Sequence, residues 1–277
     1  RLTLRRGPSL AAIRALGRET GYRAICWNRR YEPAAVARDA AVAHTLRDEG
    51  WDVAIFNGSI LVEPDGVLTG QGRPYQVFTP FWKAIRERDV GAALSAPDRI
   101  PAPRVKPVSM ALSALALEPT VDWAEGLRET WTPGTDGADA ALRLFLEEKV
   151  TDYPEKRDIP GEHGTSRLSP HLHFGEISPR TVLTVIQQHA ALDSAPGALR
   201  GAEAVLRQLY WREFAYYLLH HFPHTPEQPL RPDFSRFAWR NDPIALRAWQ
   251  RGQTGYPLVD AGMRELWRTG WMHNRVR

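Results

Sequence analysis

An α/β part followed by an all-α part is the fold class this sequence predicts, on three observations. Residues 22–56 read as strand, helix, strand; prolines at 97, 101, 103 and 107 then interrupt the chain; and beyond residue 138 the apolar periodicity is helical almost to the end. The length agrees with two domains, since 277 residues of 43% hydrophobic content can bury a large core. The expected organisation is a partial parallel-sheet domain over 1–95, a connector over 96–137 and a partial helical domain over 138–277.

Residues 22–27 form the first expected strand, 33–49 an amphipathic helix opened by Pro33 near its first turn, and 52–56 the second strand. That order is a βαβ unit, which implies parallel pairing and a right-handed crossover. Asn57-Gly58 breaks the pattern and Glu63-Pro64-Asp65-Gly66 is a turn. Residues 75–88 read as a loop running into a helix. The proline-rich stretch 96–107 can be neither helix nor central strand, and irregular chain continues past Pro133-Gly134. Helices are expected near 138–150, 179–190, 199–222, 243–251 and 256–277.

Composition narrows the class. The net charge of +4, from 36 basic and 32 acidic residues, permits an anionic partner without requiring one, so a nucleic-acid footprint has to be local. The single cysteine, Cys26, excludes an intrachain disulfide; its apolar neighbours predict a buried, inert thiol in a reducing compartment. No stretch approaches the roughly 20 apolar residues that cross a bilayer, and the first residues lack a signal-peptide core, so a cytoplasmic protein is expected. A chain that starts without Met and stops at Arg277 inside a helical pattern is expected to be part of a longer protein. Ten tryptophans are many for this length, and most are expected to supply aromatic mass to a helical core.

Three segments carry chemistry. In Gly164-Thr165-Ser166-Arg167-Leu168-Ser169-Pro170, hydroxyls, free backbone N–H groups and a helix start opened by Ser169-Pro170 could receive a phosphate, with Arg167 adding charge; ordinary capping explains the same residues. Gln208, Trp211 and Arg212, spaced i, i+3, i+4, put an amide, an indole and a guanidinium on one helix face, fit to bond and stack on a heterocycle; a core Trp flanked by a solvated Gln and an Arg–Glu pair is the alternative. Trp271, Asn274 and Arg275 repeat that spacing on the last expected helix, and Asp260 and Arg264 upstream read as a helix ion pair. Histidines at 171, 173, 220, 221 and 224 lack metal-site spacing, and the usual hydrolase, P-loop and dinucleotide-fold motifs are absent, so no metal is expected.

Together with Trp27-Asn28-Arg29-Arg30-Tyr31-Glu32-Pro33, Phe78-Thr79-Pro80-Phe81-Trp82-Lys83, His173-Phe174-Gly175-Glu176-Ile177-Ser178-Pro179, Trp211-Arg212-Glu213-Phe214, Thr254-Gly255-Tyr256-Pro257-Leu258-Val259-Asp260 and Gly270-Trp271-Met272-His273-Asn274-Arg275, these segments make the chain resemble the photolyase/cryptochrome flavoproteins, most closely bacterial class I cyclobutane pyrimidine dimer photolyases. The resemblance implies an α/β antenna domain, here missing its first strands, and a helical domain holding FAD. It implies light-dependent repair of pyrimidine dimers in DNA by electron transfer from excited reduced FAD, in a monomer with no membrane partner. The alternative is a cryptochrome-like blue-light photoreceptor that binds FAD without repair.

Carried over by position, Tyr153, Thr165, Ser166, Arg167, Leu168 and Ser169 would hold the FAD phosphates and ribityl chain, and Gln208, Arg212, Trp271, Asn274 and Arg277 would surround the flavin and adenine. Arg157, Gln208, Trp211, Asn274 and Arg275 would face DNA, with the Trp211 indole against the flipped-out lesion. Trp239 would be the outermost tryptophan of an electron relay. Two departures stand out. Gln208 replaces the glutamate that many dimer photolyases carry, which opens the lesion type. Ala34 and Ala35 replace the Asn-Glu pair of the folate-binding pattern, which removes a carboxylate from a methenyltetrahydrofolate site and leaves the antenna pigment open.

Overall fold

The computed structural model describes residues 2–101, 104–193 and 195–276. A helix that the pattern did not reveal, α1 (Ser9–Thr20), precedes the βαβ unit, which forms as expected from β1 (Ala24–Asn28), α2 (Pro33–Asp48) and β2 (Asp52–Phe56). The strands pair in parallel, Ala24 opposite Asp52 and Asn28 opposite Phe56. Ile25 and Trp27, with Val53 and Ile55, face a small core of Ala43, Leu46 and Trp51 that Leu10 and Ile13 complete. Cys26 is exposed, which corrects the expectation of a buried thiol. The two-residue period that turns Ile25 and Trp27 inward turns Cys26 to the opposite face.

The rest of the described chain is helical or irregular. It contains α3 (Phe78–Ile85), α4 (Glu125–Thr130), α5 (Thr135–Glu148), α6 (Tyr153–Lys156), α7 (Ser169–Phe174), α8 (Pro179–Leu192), α9 (Ala198–His221), α10 (Pro243–Gln250) and α11 (Pro257–Thr269). Two starts follow directly from sequence. Ser178 accepts the Thr181 N–H at 3.1 Å and Asp242 those of Ile244 and Ala245 at 3.1 and 3.0 Å, each cap being followed by proline at the first helical position.

A second, larger core interleaves Leu61, Val67, Phe78, Phe81 and Ile85 with Phe145 and Leu146 of α5, Leu183 and Ile186 of α8, and Leu209, Phe214 and Tyr217 of α9. The segment 61–85 therefore packs with the helices and not with the sheet. Polar contacts fasten it to α9: the Tyr217 hydroxyl donates to the Val67 carbonyl at 2.6 Å and accepts the Tyr75 N–H at 2.9 Å, and His220 meets Asp65 at 2.7 Å.

The aromatic mass of this core is Phe and Tyr. Trp211, Trp239, Trp249 and Trp267 are exposed and Trp271 half-buried, correcting the expectation that most tryptophans of the last third are core residues. The reason lies in α10, which buries no residue, and α11, whose buried residues are Asp260, Gly262 and Met263. No helix among the described residues is long and apolar enough to cross a membrane.

The last helix is shorter than expected. Gly270 takes φ 70°, a left-handed conformation that side-chain-bearing residues avoid, and its N–H closes onto the Leu266 carbonyl at 2.8 Å. Trp271, Asn274 and Arg275 thus lie on a turn beyond the helix, not on one helix face. The Asp260–Arg264 ion pair is also corrected. Asp260 accepts from the Thr254 N–H and hydroxyl and the Gly255 N–H, while Arg264 donates to the Gly252 carbonyl.

Candidate functional site

Four pieces of chain converge on one cleft of about 730 Å³: Tyr153 of α6 with Arg157 and Asp158 just after it; the loop 165–169; the face of α9 bearing Gln208, Trp211 and Arg212; and the turn 271–275. Gly164 allows the loop to lie on α6, because a Cβ there would sit 2.7 Å from the Lys156 carbonyl oxygen. Every site residue expected from sequence lines this cleft, with two exceptions. Arg277 lies outside the described residues, and Trp239 is 83% exposed on the irregular chain between Arg236 and α10, edge-on to Phe237 with centroids 4.7 Å apart. Two further hollows adjoin the cleft: one of about 380 Å³ shares Ser166, Gln208 and Arg212 with it, and one of about 490 Å³ shares Ser169 and Trp271.

The α6 wall is aromatic. Tyr153 is buried with its ring edge-on to Phe145 at 5.4 Å, and the Arg157 guanidinium lies 5.4 Å from the Tyr153 centroid. Burial pushes the Tyr153 hydroxyl above its usual pKa, against the opposing charge of Arg157, so it enters the cleft as a neutral donor.

The loop wall carries backbone strain. Arg167 is a non-glycine residue with φ 52°, in the left-handed region. Its guanidinium lies 4.6 Å from the Trp271 ring centroid and 3.6 Å from Glu265 of α11, so the strained residue ties the loop to the 271–275 turn. The Leu168 N–H points back to the Ser166 hydroxyl at 3.4 Å. Ser169 is the first residue of α7 and its side chain makes no capping bond, which corrects the expected N-cap; α7 has 6 residues, too few for a full helix dipole.

On α9 the expected shared face forms, but Arg212 has a second task. It donates to the Ser59 carbonyl at 2.5 Å and the Leu172 carbonyl at 3.3 Å, so it braces the cleft as well as lining it. Its neighbour Glu213 is not a solvated partner. Glu213 is 3% exposed, accepts the Leu61 N–H at 2.7 Å and holds Oε1 without a hydrogen bond. Burial pushes this carboxyl up to about 7 against the pull of the Leu61 N–H and the Arg212 charge 3.8 Å away.

Two residues with no role in the sequence reading complete the site. His273 is buried; its Nε2 bonds the Arg157 carbonyl at 2.9 Å and its Nδ1 accepts the Arg275 N–H at 3.1 Å, which fixes the tautomer as Nε2–H. Asp158 takes Arg275 in a two-pronged pair at 2.8 and 2.7 Å, and that bond holds its carboxyl below the usual range. For Glu213 a signal existed: it continues the buried stripe of Val205, Leu209 and Tyr217 along α9. Among the described residues no three His, Cys, Asp or Glu side chains approach closely enough to hold a metal.

Comparison with known proteins matches this architecture. Residues 205–277 match the family model for the FAD binding domain of DNA photolyase, and residues 1–104 that for DNA photolyase. The chain is 43% identical to the deoxyribodipyrimidine photo-lyase of Agrobacterium fabrum, covering 100% of this chain and 57% of that protein. It is 35% identical to cryptochrome-2 of Arabidopsis thaliana, covering 97% of this chain and 45% of that protein. A bacterial class III photolyase from Agrobacterium tumefaciens has a similar structure, with a TM-score of 0.94 at 42% identity, covering 100% of this chain and 57% of that one. This chain thus spans about half the length of the curated relatives it matches. That structural neighbour is class III, whereas the motifs resemble class I most; the family is common to both. The chain belongs to the photolyase/cryptochrome family.

Proposed function

We propose that this chain contributes the FAD cleft and lesion-facing wall of a DNA photolyase that repairs cyclobutane pyrimidine dimers. The observation that carries the reading is the convergence of hydroxyl and backbone donors, two amides, two indoles and two cleft-edge arginines on a single cavity. The site fits a flavin dinucleotide on its own chemistry. The strained Arg167 loop offers consecutive backbone groups, with the hydroxyls of Thr165, Ser166 and Ser169, to phosphates, and the adjoining hollows extend the cleft for an elongated ligand.

Bound FAD would supply a light-driven electron to the lesion and take it back after the cyclobutane ring opens. The protein's residues do the rest. Gln208 and Asn274 present amides to the heterocycles, Arg212 is held rigid by two carbonyls, and Trp271 closes the cleft under Arg167. The Trp211 indole receives the extruded pyrimidine dimer by stacking, and extrusion is cheapest for a damaged pair. Arg157 and Arg275 meet the backbone, which positions the strand without reading its sequence. On the family resemblance alone, the surface residue Trp239 would be the outer end of an electron relay and Arg277, outside the described residues, would lie beside the flavin.

The test is blue-light irradiation of the protein with a dimer-containing oligonucleotide. Light-dependent loss of dimers together with bound flavin absorbance supports repair. Bound flavin with no dimer loss would make it a photoreceptor, and absence of flavin would overturn both.

A further inference from the structure

A ladder of rings and guanidinium groups leaves the cleft at Trp211 and runs outward across the junction of α9 and α3. The Phe78 ring stacks on Trp211 with centroids 3.7 Å apart and planes 9° from parallel. Arg207, one turn before Trp211 on α9, lies over both Phe78 and Trp82, its guanidinium carbon 5.6 and 4.8 Å from their centroids. Arg86, capping the end of α3, lies over Trp82 at 4.9 Å.

The two arginines differ in their partners. Arg86 is paired with Glu87 at 2.9 Å, whereas Arg207 is exposed and, among the described residues, makes no ion pair within 4 Å, although Glu203 precedes it by one turn. Two rings hold the guanidinium carbon in place, and no ion pair among the described residues occupies its N–H fork, which suits phosphate. We infer that Arg207 is a backbone-phosphate contact, and that the Trp211–Phe78–Arg207 ladder carries the nucleic-acid strand past the lesion cleft onto the α3–α9 surface. This rests on the proposed DNA-binding reading of Trp211. One helical turn advances about 5.4 Å, on the order of one to two nucleotide steps of about 3.4 Å each, so Trp211 and Arg207 can serve neighbouring positions of one strand. Charge chooses the occupant: a cation held by two rings without a carboxylate suits a polyanion better than an apolar protein face.

The experiment measures binding of dimer-containing and undamaged duplexes across a salt series, for the parent protein, Arg207→Ala and Arg207→Lys, with thermal melting of each. Arg207→Ala is expected to weaken both duplexes alike, roughly fivefold to tenfold near 0.1 M salt, and to make the log–log salt slope shallower by about 0.9; Arg207→Lys keeps the slope. Unchanged affinity and slope in Arg207→Ala, with a parent that binds DNA, overturns the ladder and leaves the Trp211 reading intact. A loss confined to the dimer duplex also overturns it, since a phosphate contact is indifferent to the lesion. A parent that binds neither duplex overturns both. If Arg207→Ala does not fold, Arg207→Lys decides alone: an altered slope in a variant that keeps the charge counts against the phosphate contact.

Discussion

Phe78 of α3 covers one face of Trp211 of α9, ring on ring at 3.7 Å, so the indole that lines the cleft is backed by a residue from a distant part of the sequence. Phe78 is buried and Trp211 is 46% exposed, so the stack leaves the indole one usable face. Trp211→Ala is therefore expected to lower affinity for dimer-containing DNA by about 1–3 kcal/mol with flavin content unchanged. Phe78→Ala should cost about 3–5 kcal/mol of stability by urea denaturation, while Phe78→Tyr, which preserves the stack, retains lesion binding. Equal lesion affinity in Trp211→Ala would contradict the stacking role.

Glu213 makes stability depend on pH. Its carboxyl is raised from the usual 4.5 to about 7 by burial, so the folded state holds the proton more tightly than the unfolded one. The stabilisation is fully present below about 4.5 and is lost as pH rises through about 7, to an extent of roughly 3 kcal/mol. Glu213→Gln keeps an acceptor for the Leu61 N–H and should flatten this part of the profile. Denaturation series between pH 4.5 and 8 that run parallel for parent and variant would refute the assignment.

The sequence made the scaffold legible where one physical rule dominates. A helix between two strands gave β1, α2 and β2, and apolar periodicity marked α8 and α10. The family motifs contain nearly all of the cleft wall. What stayed hidden was tertiary. Gly270 ends α11 although the following Trp271 to Arg275 keeps helical spacing, because left-handed backbone outweighs periodicity. The second duty of Arg212, the burial of Glu213 and the pairing of Asp158 with Arg275 join residues far apart in the chain, or depend on which helix face meets the core.

His273 ties the 271–275 turn to the end of α6 through its bond to the Arg157 carbonyl, and braces the turn internally by accepting the Arg275 N–H. Removing the imidazole leaves that carbonyl and that N–H, both only partly buried, to find water instead, at a cost of about 1 kcal/mol per bond lost. His273→Ala should lower the denaturation midpoint and loosen flavin retention, because Trp271 and Asn274 lose their fixed positions. Full flavin content and unchanged stability in this variant would show that the turn is held by other means.

Arg275, the expected phosphate contact, is already engaged by Asp158 in both prongs of its guanidinium. Both side chains are about half exposed, so water screens the pair and its contribution to stability is small. Its effect on a polyanion is larger, since the carboxylate neutralises one cation and stands where phosphate approaches. Asp158→Asn is expected to strengthen binding of damaged and undamaged duplexes alike by several-fold at low salt and to steepen the salt dependence, as one more free cation acts on the backbone. Arg275→Ala should do the reverse, weakening both duplexes and flattening the slope. A titration in which Asp158→Asn weakens DNA binding would mean that the carboxylate orients Arg275 for the strand and does not compete with it.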